Sequence, residues 1–132
     1  MARQNAPDVL PAADSLLSPV TEIDGFLLAC LVDASTGMVI AAAQNHEDLQ
    51  LSAAAAGAAD MADVLALLAG QLAASDGLDD VMMTFSNHFH LIRPVLPSAG
   101  PALLLLVILD RQRANLALAR RELRNFCESL AG

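Results

Sequence analysis

The 132-residue chain contains no lysine, no tryptophan and no tyrosine, only four phenylalanines, and only two cysteines. Each shortage excludes something. Four phenylalanines are too few to line an aromatic ligand pocket of the usual kind. Cys30 and Cys127 cannot make a disulfide framework, and in stretches of regular pattern they read as free buried thiols of a reducing compartment. The longest unbroken apolar run, Ala102 to Leu109, falls far short of the ~20 residues of a membrane span, and the opening "MARQNAPDV" lacks a signal peptide's apolar segment. A cytoplasmic location without membrane insertion is therefore expected. Positive charge is scarce as well: seven arginines stand against fifteen acids, for a net charge of −8. That balance disfavours nucleic acid and anionic membranes, which both attract basic surfaces.

What the chain does contain is apolar mass. Hydrophobic residues make up 55% of it, enough for one globular domain with a core of its own. Residues 1–12 hold two prolines and little periodicity and are expected to form a flexible arm, leaving 13–132 as the domain. A short helix is expected from Asp14 to Ile23, restarting at Pro19 with Ser18 as its cap. "GFLLACLVDASTGMVIAAA" is a hairpin signal, with runs at Phe26 to Val32 and Met38 to Ala43 around a turn at Asp33 to Gly37. Both side-chain sets of the first run are apolar, so that strand is covered on both faces.

A long helix follows, from about Glu47 to Ala74, with Glu47 and Asp48 in its first turn. Three strands come next, "VMMTF", "FHLIRPV" and "ALLLLVIL", joined by turns at Ser86 to His88 and at "LPSAG". The last is apolar enough to be central. An amphipathic helix closes the chain, with Leu116, Leu123, Phe126 and Leu130 on one side and arginines opposite. Short connections make the strands antiparallel, and two-sided strands need helices on both faces. The expected fold is an α/β three-layer sandwich with a five-stranded antiparallel sheet, in the order helix, hairpin, helix, meander, helix.

The long helix is apolar nearly all round, so more than one of its sides needs a cover. On a helical wheel Met61, Val64, Leu65, Leu68 and Leu72 form one face, assigned to the sheet, while Ser52, Asp60, Asp63 and Gln71 form the only polar stripe. Ala55, Ala59, Ala62, Ala66 and Ala69 are spaced four, three, four, three, the spacing of a close helix pair, and are assigned to a contact with a second copy. Val81 to Phe85 is expected at a sheet edge without lysine, proline or inward charge to discourage pairing.

Sites of chemistry are sparse. His88 and His90 lie two apart, but His88 is placed in a turn and His46 has no tie to either, so no metal is expected. "AAAAGAAD" puts its glycine in mid-helix rather than in a phosphate loop. Asp60 and Asp63 lack a partner base or nucleophile, so no catalytic residue and no cofactor are assigned. Five arginines (Arg111, Arg113, Arg120, Arg121 and Arg124) crowd the C-terminal segment, as the solvated face of its helix or as a docking face for an acidic partner.

Taken in order, "GFLLACLVDASTGMVIAAA", the alanine-rich helix, "DDVMMTFSNHFHLIRPV" and "LLLLVILDRQRANLALARRELRNF" resemble the Roadblock family of the dynein light chain type, especially its bacterial stand-alone members. The resemblance spans roughly residues 14 to 130. It implies the profilin-like Roadblock fold, a homodimer in which two copies of Val81, Met82, Met83, Thr84 and Phe85 lie together at the centre, and a non-enzymatic role as regulator or scaffold of a Ras-like small GTPase in bacterial signalling. The docking platform it suggests falls on Asp60, Asp63, Leu67 and Gln71, with the arginine-rich last helix as the alternative platform. A small-molecule sensor with an apolar pocket is the other functional class left open.

Overall fold

Eight elements follow one another in the computed structural model: α1 (Ser18–Thr21), β1 (Phe26–Asp33), β2 (Val39–Gln44), α2 (Leu51–Ala69), β3 (Val81–Thr84), β4 (His88–Val95), β5 (Leu103–Asp110) and α3 (Leu116–Ala131). The structure describes residues 16–45, 48–69, 78–96, 100 and 102–132. The arm expected at 1–12, and His46, Glu47 and Gln71, lie outside the described residues, as does the predicted end of the long helix.

The strands form one five-stranded sheet in the order β2-β1-β5-β4-β3, and every neighbouring pair is antiparallel. This is the expected meander and hairpin, with β5 in the centre. From Leu104 to Leu109 every β5 residue is buried, and its side chains alternate between two cores. Leu105, Val107 and Leu109 face a core closed by Leu17, Val20 and Ile23 around α1 and by Ala119, Leu123 and Cys127 of α3. Leu104, Leu106 and Ile108 face the second core, closed by Ala55 and Ala58 of α2. Burial of such a side chain stabilises the fold by roughly 1.5–3 kcal/mol, so a strand with no polar face holds both helical layers at once.

Turn chemistry fixes the register. The carboxylate of Asp33 accepts hydrogen bonds from the Ser35 and Thr36 backbone N–H groups and from the Ser35 hydroxyl, at 2.8, 3.2 and 2.7 Å. These bonds favour its charged form and hold its pKa below the usual carboxylate value. Gly37 closes the turn at φ 77°, a conformation that costs glycine little. Pro94 sits inside β4, where a missing N–H ought to break the ladder. β3 pairs only with Phe89 through Ile92, so Pro94 lies past its end and leaves that ladder intact.

Three local expectations are corrected. Helix α1 is capped at Leu17 without a side-chain hydrogen bond, so Ser18 is its first residue and not its cap. Helix α2 begins at Leu51 with no acid in its first turn, and Asp48 belongs to the preceding turn. His88 opens β4 opposite Asp110 rather than sitting in a turn, because the β3–β4 connection needs only Phe85 to Asn87.

Candidate interaction site

Helix α2 meets the sheet with its small residues. Ala55 and Ala58 are buried, and Leu51, Ala54, Met61 and Ala62 pack around them on the β1–β5 core. The wheel assignment is therefore corrected. Ala55 and Ala62, expected in a contact between copies, lie on the chain's own sheet, and Val64 and Leu68, assigned to the sheet, are 53% and 54% exposed. Met61 and Leu65 are half-buried as expected, Ala59 is half-buried, Ala66 is exposed, and the Ala69 side chain lies outside the described residues. The physical reason is the approach distance: alanines allow the helix axis to settle close to a flat apolar sheet, and the larger side chains are turned away.

The direction of the exposed flank follows from Gly37. A side chain begun there would meet the Ala59 methyl at 3.4 Å, so the Ala59 flank of α2 faces the β1–β2 turn. At about 100° per residue, Gly57, Val64 and Leu68 occupy the opposite flank. Together with Met61 they are spaced four, three, four, the spacing of a helix-pair seam. Gly57 has open space beside it. Asp60, Asp63 and Leu67 point away from the sheet, and Leu67 is 73% exposed. The stretch Leu51–Leu68 is long and apolar enough by composition to cross a membrane. Its two aspartates, one turn apart near its middle, each oppose that by about 2.5–3.5 kcal/mol.

β3 is an edge strand, as predicted. Val81 and Met83 turn toward the α2 core. Met82 lies opposite Leu91 of the other core, and it and Thr84 are exposed. Phe85, just past the strand, is 48% exposed and rests against the His90 ring, with centroids 4.6 Å apart.

Both ends of this edge are held by arginine. At its start Asp80 accepts two 3.0 Å hydrogen bonds from the Arg120 guanidinium and one of 3.4 Å from Arg93. At its end Arg111 donates to the Phe85 carbonyl at 3.1 Å and lies over the Phe89 ring. Sequence reading missed Asp80, whose partners lie thirteen and forty positions away. The signal open to it was an acid bordering a strand in a chain whose arginines cluster elsewhere.

The other candidates separate. His88 and His90 share the α2 face of the sheet with ring centroids 6.2 Å apart, and burial, together with the neighbouring His88, lowers the His90 pKa. Among the described residues no three metal-ligating side chains converge. Cys30 and Cys127 are free and buried, one in each core, and burial pushes their thiols up to about 12 and about 11. An open cleft of about 320 Å³ lies between α1 and α3, lined in part by Val20, Glu122 and Phe126. The void beneath Arg93 and Arg120 is too small to admit a water molecule.

Comparison with family models and with curated sequences finds no match. Solved structures match almost throughout. MglB of Myxococcus xanthus is 18% identical, with a TM-score of 0.71 over 99% of this chain and 90% of that one. The gliding protein MglB of Thermus thermophilus is 21% identical, with a TM-score of 0.73 over 99% and 93%. A Roadblock/LC7 domain from Streptomyces avermitilis is 17% identical, with a TM-score of 0.70 over 88% and 92%. The chain has the Roadblock/LC7 fold. In this instance of the Roadblock/LC7 fold, two features are left uncovered within the chain: the α2 flank that carries Val64 and Leu68, and the free edge of β3.

Proposed function

We propose that this chain is a bacterial stand-alone Roadblock/LC7 protein that acts in the cytoplasm as a homodimeric, non-enzymatic regulator or scaffold of a Ras-like small GTPase. The observation that carries the reading is this pair of uncovered features. Val64 and Leu68 are more than half exposed and β3 is a short edge strand, and an apolar helix flank together with an unpaired edge on one chain is an interface awaiting a cover. A second copy related by a two-fold axis supplies both halves of it: its β3 extends the sheet, and its Gly57–Met61–Val64–Leu68 flank closes on this one.

A Val64→Glu, Leu68→Glu double variant should sediment as a monomer where the wild type is a dimer. Amide exchange along Val81–Thr84 should be slow in the wild type and fast in that variant. A dimer unchanged by both substitutions refutes the interface.

Dimerisation through β3 and the Val64–Leu68 flank leaves the outward face of α2 open. Asp60, Asp63 and Leu67 form the proposed GTPase contact, with Gln71 continuing the same stripe in sequence. An Asp63→Arg, Leu67→Glu variant should lose binding to a purified, nucleotide-loaded Ras-like GTPase while remaining dimeric. If that variant binds normally and Arg124→Glu abolishes binding, the GTPase docks on α3 instead.

A further inference from the structure

We propose that the opposite face of the sheet carries a second docking surface, a basic-rimmed trough along β3 that takes an acidic amphipathic segment of a partner protein. The floor of one half is Met82 and Thr84 of the edge strand, with Phe89 beside them under the Arg111 guanidinium, and among the described residues no helix covers these β3 residues, because α3 packs over β4 and β5. The rim is Arg111, Arg120 and Arg124. Arg111 and Arg120 are tied to the two ends of the strand, and Arg124 lies one turn beyond Arg120 on the same flank of α3. This rests on the β3-paired dimer proposed above, in which two such halves meet across the two-fold axis.

Charge complementarity names the occupant. From Arg111 to the C-terminus the chain has five arginines against Glu122 and Glu128, whereas the first 110 residues have two arginines against thirteen acids. Within the rim Asp80 offsets the Arg120 guanidinium, Asp79 adjoins Asp80 in sequence, and Glu128 follows Arg124 one helical turn on. Arg121 and Arg124, both exposed, make no ion pair or hydrogen bond with any described residue. A broad polyanion such as a duplex or an anionic bilayer meets the acidic remainder and is repelled. A single acidic helix with an apolar face meets Met82 below and, in the dimer, the arginines of one protomer on each side.

The test is fluorescence anisotropy with the full-length protein and a labelled amphipathic peptide of leucine, alanine and glutamate, beside the same peptide with lysine in place of glutamate. The glutamate peptide should bind, and binding should weaken with salt. The Arg124→Glu variant, whose substitution lies on an exposed position of the rim without an ion pair, should keep the wild-type melting temperature and sedimentation and bind roughly tenfold more weakly or worse. Arg121→Glu, on the outward face of α3, should bind within about twofold of wild type. Equal binding of the lysine peptide, no binding of the glutamate peptide, or unchanged binding by the Arg124→Glu variant overturns the proposal. So does retention on phosphatidylglycerol vesicles without peptide binding. A wild-type chain that sediments as a monomer refutes the dimer alone, and loss of peptide binding on the Arg124 charge reversal then assigns the segment to a single protomer's strip.

Discussion

Helix α3 turns Ala119, Leu123 and Cys127 into the sheet and shows Arg121 and Arg124 to water, whereas α2 meets the opposite face of the same sheet with Ala55 and Ala58 and leaves Val64, Leu67 and Leu68 more than half exposed. The amphipathic helix has buried its main apolar face within one chain. The helix that is apolar all round has not, and its surplus is what a partner can use. Apolar content by itself therefore says little about which helix holds the monomer together; the depth to which each side chain is inserted decides that.

Leu123→Ala against Leu67→Ala is the strongest way to break this contrast, because the chemistry removed is identical. Leu123 is 2% exposed, and its truncation should cost about 2–5 kcal/mol in urea denaturation. Asp80→Asn comes next. Its carboxylate is 11% exposed and serves two guanidinium groups, so its loss should cost on the order of 2 kcal/mol and should free the start of β3, read as faster amide exchange at Val81 and Met82. Leu67→Ala should change stability by less than about 0.5 kcal/mol. A larger loss that depends on protein concentration would mean that a second copy, not a GTPase, covers Leu67.

Two smaller effects sharpen the comparison core by core. Cys30 lies beneath α2 and Cys127 on α3, and with thiols held at about 12 and about 11 both should resist a thiol reagent at neutral pH. Whichever labels first as urea is raised identifies the layer that opens first. On the α2 face, His90 has a pKa below its ordinary 6.5. The unfolded chain binds that proton more readily, so the stability involved is present above pH 6.5 and is lost as the pH falls through that value. His90→Gln should flatten this slope, measured as melting temperature against pH.

Most of the fold was legible because its signals are local. Phe26 to Val32 and Leu104 to Leu109 announce two-sided strands by lacking a polar alternation, and Asp33 to Gly37 announces a turn by residue type. Leu116, Leu123, Phe126 and Leu130 announce a helix face by spacing, and α3 buries that face as read. The site was less legible. On α2 the wheel offered two apolar faces of similar merit, and choosing the larger side chains for the sheet misplaced Ala55, Ala62, Val64 and Leu68. Periodicity identifies faces; it cannot rank two that are both apolar.

By itself the sequence determined the element order, the antiparallel pairing and the need for helices on both sides of the sheet, because period, turn chemistry and apolar runs act over a few residues. Only the tertiary structure decided that Ala55 and Ala58 would lie on the sheet and Val64 and Leu68 outside it. It also decided that Asp80 would join Arg93 to Arg120 at the start of the edge strand. Those outcomes depend on how closely a helix axis can approach a particular sheet, and on groups up to forty positions apart meeting once it has done so.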